Sequence, residues 1–127
     1  MMKEPMILRG KVVRGKGLGR TVGMPTANLC IEEETIPEDG VYATRIHICD
    51  GVNVSVTNIG RRPTVDDKSY ITVETHIIDF DREIYGEQAV LEVHKFLRPI
   101  QKFDSLKEVQ KQVQKDVETA KIYFQEM

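Results

Sequence analysis

Tyr70-Ile71-Thr72-Val73-Glu74-Thr75-His76-Ile77-Ile78 is the clearest alternation in the chain. Ile71, Val73, Thr75 and Ile77 share one face, and Tyr70, Thr72, Glu74 and His76 share the other. A period of two predicts a strand with one face on a core. The same reading works outward in both directions. Upstream, Val41 to Cys49 puts Tyr42, Thr44, Ile46 and Ile48 on one face. Asp50-Gly51 is the strongest short hairpin signal, and Val52 to Ile59 returns as its partner strand. Gly60 to Thr64 and Asp66-Asp67-Lys68 read as a polar loop. Nearer the N-terminus, Ile7 to Val13 and Thr26 to Ile31 are two further strands. The run Glu32-Glu33-Glu34 is a solvated loop closed by Pro37-Glu38-Asp39-Gly40. Downstream, Asp79 to Arg82 turns the chain. Gln88 to Leu97 is the last strand, with Ala89, Leu91, Val93 and Leu97 on its apolar face.

The period then changes. Ser105 and Glu108 form a Ser-x-x-Glu capping box. Leu106, Val109, Val113, Val117, Ala120 and Phe124 follow at spacings of three and four. This predicts one amphipathic helix of about five turns. Six closely spaced strands with short turns predict a closed antiparallel barrel, because closure leaves no unpaired edge. The helix covers an opening or one side of it. The expected organisation is a single domain over residues 1–127, with the barrel at about 7–98 and the helix at about 105–125.

Composition narrows the function classes. A length of 127 residues suits one core. A net charge of -2 argues against a broad nucleic-acid footprint. Four Tyr, four Phe and no Trp give few rings for base stacking. No apolar run approaches the roughly 20 residues of a membrane span. The N-terminus lacks the apolar core of a signal peptide. Cys30 and Cys49 lie in apolar strand patterns and are expected as buried free thiols, which fits a reducing cytoplasm. His47, His76 and His94 each stand alone in a different strand, so nothing suggests zinc.

The chemistry concentrates at Gly15-Lys16-Gly17-Leu18-Gly19-Arg20-Thr21-Val22-Gly23-Met24-Pro25-Thr26-Ala27-Asn28-Leu29. Four glycines bare the backbone, and Arg20 adds a fixed positive charge, a combination suited to phosphate oxygens. Thr26 and Asn28 are two apart, so a strand there points both to one face. A hydroxyl and an amide carbonyl are hard oxygen ligands of the kind Mg2+ takes. On local physics alone a plain hairpin loop accounts for the glycines equally well. No Walker A or protein-kinase motif is present.

Glu74, mid-strand on the polar face, is either a solvated carboxylate or a general base for an alcohol acceptor. His76 shares its face, as a hydrogen-bonded surface histidine or a second polar group of a site. Arg61 and Arg62 are solvated loop arginines or phosphate contacts. Arg98 and Phe103 flank the linker to the helix and could sandwich a flat heteroaromatic ligand. Phe103 serves equally well as a staple against Val109.

In order along the chain, these pieces resemble the riboflavin kinase (flavokinase) family. The matching segments are Gly10 to Gly15, Gly19 to Asn28 with its Pro-Thr-Ala-Asn, Gly40-Val41-Tyr42, Asn58 to Thr64, Val73-Glu74-Thr75-His76-Ile77, Tyr85-Gly86, and Phe96-Leu97-Arg98-Pro99 through Leu106. The resemblance implies a six-stranded antiparallel Greek-key barrel with a C-terminal helix. It implies transfer of the ATP γ-phosphate to the terminal ribityl hydroxyl of riboflavin, giving FMN and ADP. Glu74 is then the catalytic base. Thr26 and Asn28 hold Mg2+, with Zn2+ and Mn2+ as alternatives. Gly15, Arg20, Thr26, Ile77 and Tyr85 attend the nucleotide. Arg98, Gln101 and Phe103 lie on a flap over the flavin, although relatives can carry Lys where Gln101 stands. The expected partners are ATP and riboflavin, with no nucleic acid and no membrane. The chain is expected to act in the cytoplasm as a monomer. Bacterial relatives commonly carry an FMN adenylyltransferase domain ahead of this module. The chain is therefore read as a monofunctional kinase or an excised domain, and FAD is not an expected product.

Overall fold

The computed structural model describes residues 4–13, 26–63 and 69–126, with backbone alone at 62–63 and 69–70. Gly15, Gly17, Gly19, Arg20, Gly23 and the loop at 64–68 lie outside the described residues. Six strands run Met6–Val13 (β1), Ala27–Ile31 (β2), Gly40–Ile48 (β3), Gly51–Pro63 (β4), Ser69–Ile77 (β5) and Gln88–Arg98 (β6), followed by the helix Leu106–Gln125 (α1). They close in the order β1-β2-β5-β4-β3-β6, with every neighbouring pair antiparallel. Consecutive β3, β4 and β5 pair as a meander, and β6 returns beside β3, which is the Greek-key arrangement.

Alternation decides what goes inside. Leu8, Val12, Leu29, Tyr42, Ile46, Ile59, Val73, Ile77, Ala89, Leu91 and Val93 fill the interior. Ser55, Thr44, Thr57 and Thr75 are fully buried among them. Their hydroxyls are joined at 2.6 Å between Thr44 and Ser55, 2.9 Å between Thr44 and Thr57, and 2.9 Å between Thr57 and Thr75. Buried hydroxyls are tolerated because each finds a partner. Gly10 lets β1 and β2 approach closely, since a Cβ there would run into the Cys30 carbonyl.

The helix covers one side of the barrel and not its opening. Val117, Ala120 and Phe124 pack with Leu97 on the outward residues Val41, Ala43 and Val56. Ser105 caps it by accepting from the Glu108 N–H at 3.2 Å. The Glu108 carboxylate reaches back to the Asp104 N–H at 3.1 Å. Leu106, expected on the packed face, is instead 52% exposed.

Four other expectations are corrected. The β3–β4 turn is Cys49-Asp50, both at positive φ, one residue earlier than Asp50-Gly51. β4 continues through Gly60 to Pro63 because its backbone stays paired with β5. Leu97 does not join Ala89, Leu91 and Val93. Two register shifts against β3 turn β6, and Leu97 faces the helix. Cys30 is exposed, since Ala27 and Leu29 take the inward positions of β2, and Cys49 is only half-buried in its turn.

Candidate functional site

The outer face of β2 and β5 carries the residues singled out for chemistry. With Ala27 and Leu29 inward, Thr26 and Asn28 point outward, and both are half-buried. With Val73, Thr75 and Ile77 inward, Glu74 and His76 point outward and are likewise half-buried. Asn28 and Glu74 are Cα partners across the β2–β5 ladder. Continuing that register by one step sets Thr26 beside His76. Directly opposed residues hold their Cβ atoms about 5 Å apart. A hydroxyl, an amide carbonyl and a carboxylate therefore converge on one patch.

The ladder extends this patch into a row. Glu74 is also the Cα partner of Asn58 on β4, Asn58 of Val41 on β3, and Val41 of Arg98 on β6. At strand spacings of about 4.8 Å, Arg98 and Glu74 lie within about 15 Å along the sheet.

Several residues expected at the site lie apart from the Thr26, Asn28 and Glu74 side chains. Ile77 is 7% exposed and belongs to the barrel interior, so its side chain is not on the Glu74 face. Tyr85 is exposed in the turn before β6, and the neighbouring Gly86 N–H donates to the Val12 carbonyl at 2.9 Å. Arg98 faces the helix. Its Nε and Nη2 donate to the Asp116 carboxylate at 2.9–3.2 Å, and its guanidinium lies 5.7 Å from the Phe103 ring centre. Gln101 is exposed in the same linker. Arg61 is engaged by its own fold, donating to Asp39 and to the carbonyls of Ile36 and Pro37. Those hydrogen bonds hold the Asp39 carboxyl below its ordinary value.

A second polar cluster was not legible from sequence. Glu92 on β6 accepts from Arg45 Nη2 at 3.0 Å and contacts His94 Nε2 at 2.8 Å and His47 Nε2. Burial pushes its carboxyl up. Hydrogen bonds from His94, His47 and Arg45 outweigh that and hold it at about 2. The signal available was the outward register of Arg45, His47 and Glu92 on β3 and β6, which needs the pairing to be known. His94 in turn packs against the rings of Tyr123 and Phe124.

Among the described residues no three His, Cys, Asp or Glu side chains gather as a metal group. A cation on this face would rely on the Thr26 hydroxyl and the Asn28 carbonyl beside the Glu74 carboxylate. These are all hard oxygen donors, which suits Mg2+ and does not favour a soft metal.

The chain is similar over most of its length to several known proteins. A curated bifunctional riboflavin kinase/FMN adenylyltransferase from Haemophilus influenzae is 37% identical over 125 residues. Its counterpart from Bacillus subtilis is 35% identical over 127 residues. Each match covers 98% of this chain and 40% of the relative, so the chain spans well under half the length of these proteins. A solved Streptococcus pneumoniae structure, described as a macrolide-efflux protein, superposes with a TM-score of 0.87 at 34% identity. It is covered over 38% of its length, against 92% of this chain. No helix among the described residues here is long and apolar enough to cross a membrane. The riboflavin kinase of Trypanosoma brucei shares the fold at TM-score 0.73 and 22% identity, covering 97% of this chain and 79% of its own. The family model described as Flavokinase: Riboflavin kinase matches residues 2–124, and the chain belongs to that family.

Proposed function

We propose that the chain phosphorylates riboflavin, transferring the γ-phosphate of ATP to the terminal ribityl hydroxyl to give FMN and ADP. The observation that carries this reading is the Asn28–Glu74 pairing, with Thr26 one step along the same outer face, in a chain of the riboflavin kinase family. Glu74 is the general base. It takes the hydroxyl proton as the new O–P bond forms and the bond to ADP breaks. Such a transition state is loose, so positioning and charge stabilisation supply most of the acceleration.

Thr26 and Asn28 are the residues to hold Mg2+. That ion, when bound, neutralises the β- and γ-phosphate oxygens. Gly15 and Arg20 complete the phosphate side, with Tyr85 beside the nucleotide. Arg98, Gln101 and Phe103 form the flavin side, where the Arg98 guanidinium already lies against the Phe103 ring. The substrates place the activity in the cytoplasm. Barrel closure leaves no free sheet edge, which suits a monomer. The adenylyltransferase named in the bacterial relatives is a separate activity, and FMN is the product proposed here.

The test is direct. The full chain incubated with riboflavin and Mg-ATP yields FMN by chromatography. Bound flavin with no FMN formed would assign the barrel to flavin binding without turnover.

A further inference from the structure

We infer that Asn58 is a positioning residue for Glu74, holding the carboxylate from the β4 side while Asn28 flanks it from β2. The inference rests on Glu74 acting as the base. Asn58 is exposed on the outer face, because Thr57 and Ile59 on either side of it are buried inward. It is the Cα partner of Glu74, as Asn28 is on the opposite side. The three side chains therefore stand in one row, amide–carboxylate–amide, with neighbouring Cβ atoms about 5 Å apart.

The two amides have different work to do. An Asn side chain offers one acceptor oxygen and two N–H donors. The proposed function assigns the Asn28 carbonyl to the cation. Asn58 stands on the other side of Glu74, where its N–H groups can serve as donors to the carboxylate. A donated hydrogen bond fixes which oxygen faces the acceptor alcohol. Asn58 also lies between Glu74 and the Arg98 end of the row, so a ligand bridging those ends crosses it.

Among the described residues, His76 on β5 and the Cys30 thiol on β2 share the outer face with Glu74, and Lys11 on β1 stands beyond Cys30. From β4 come Val56, Asn58 and Gly60. Toward the helix the row passes through buried Val41 to the Arg98–Asp116 ion pair.

The experiment measures kcat and KM for FMN formation by the full chain. It compares the unaltered protein with Asn58→Ala, Asn58→Gln and Glu74→Gln. Asn58→Ala is expected to lower kcat about tenfold through a loosened base, with KM for ATP unchanged. Asn58→Gln keeps an amide donor and is expected to recover part of that loss. Parental kcat in Asn58→Ala, or no recovery in Asn58→Gln, with Glu74→Gln inactive, overturns the role of Asn58 and leaves the base in place. An active Glu74→Gln overturns the base itself, and the role of Asn58 falls with it.

Discussion

Arg98 at the end of the last strand donates from Nη2 to the Asp116 carboxylate of the helix at 2.9 Å, and its Nε completes the clamp at 3.1–3.2 Å. Asp116 is 4% exposed, and Gln112 one turn earlier donates to it at 3.1 Å. A charge buried on the packed face of a helix is tolerated because it is paired and hydrogen-bonded. Removing one partner strands the other. Asp116→Ala is expected to cost about 3–5 kcal/mol, and Asp116→Asn less, since an amide oxygen still accepts. Urea denaturation of the two variants checks the ranking. Equal stability of Asp116→Ala and the parent would show that the clamp contributes nothing.

Glu74→Gln keeps the shape of the side chain and removes its basicity. Turnover is expected to fall by about 10²-fold or more. Flavin and nucleotide binding, followed by fluorescence quenching and calorimetry, are expected to persist. Near-parental turnover would remove Glu74 from the role of base.

Asn28→Ala and Thr26→Ala take one hard oxygen each from the proposed cation site. Both are expected to weaken ATP binding in the presence of Mg2+ while leaving binding of metal-free ATP nearly unchanged. A magnesium titration of nucleotide affinity separates the two cases. An unshifted titration in both variants would refute the metal assignment.

Glu92 predicts a pH dependence of stability. Its ordinary value is 4.5 and its folded value about 2. A carboxyl lowered on folding contributes stability that is fully present above its unfolded value. That contribution is lost as pH falls from about 4.5 toward 2. The melting temperature is expected to drop across this window, and Glu92→Gln to show a shallower drop with a lower melting temperature at neutral pH. A constant gap between variant and parent from pH 7 to pH 3 would contradict the assignment.

Much of this was readable from single strands. The alternation in Tyr70 to Ile78 fixed which side of β5 carries Glu74, and the spacing of Thr26 and Asn28 fixed theirs. The Ser105 cap announced the helix, since its geometry is local. What escaped depends on residues far apart in sequence. The two register shifts between β3 and β6 turn Leu97 and Arg98 toward the helix, and no pattern within β6 marks them. Nothing in the helix pattern marks Asp116 for burial, because its partner Arg98 lies 18 residues away in sequence. His47 and His94 meet on Glu92 only because β3 and β6 are neighbours. The β3–β4 turn sits at Cys49-Asp50 because register with Gly51, which pairs with Ile48, outweighs the preference for Asp-Gly.

The threonines inside the barrel have a bearing on the carboxylate outside it. Thr57 and Thr75 are opposed partners, and the next pair along the same two strands is Asn58 and Glu74. Sliding β5 by two residues would preserve inside and outside everywhere, so greasy packing alone is a poor guard against it. It would, however, uncouple the hydroxyls and bring Thr72 or His76 opposite Asn58. The clasp between Thr57 and Thr75 thus acts as an alignment pin, and the spatial accuracy of the Asn58–Glu74–Asn28 row outside is kept by atoms on the inner side of the wall.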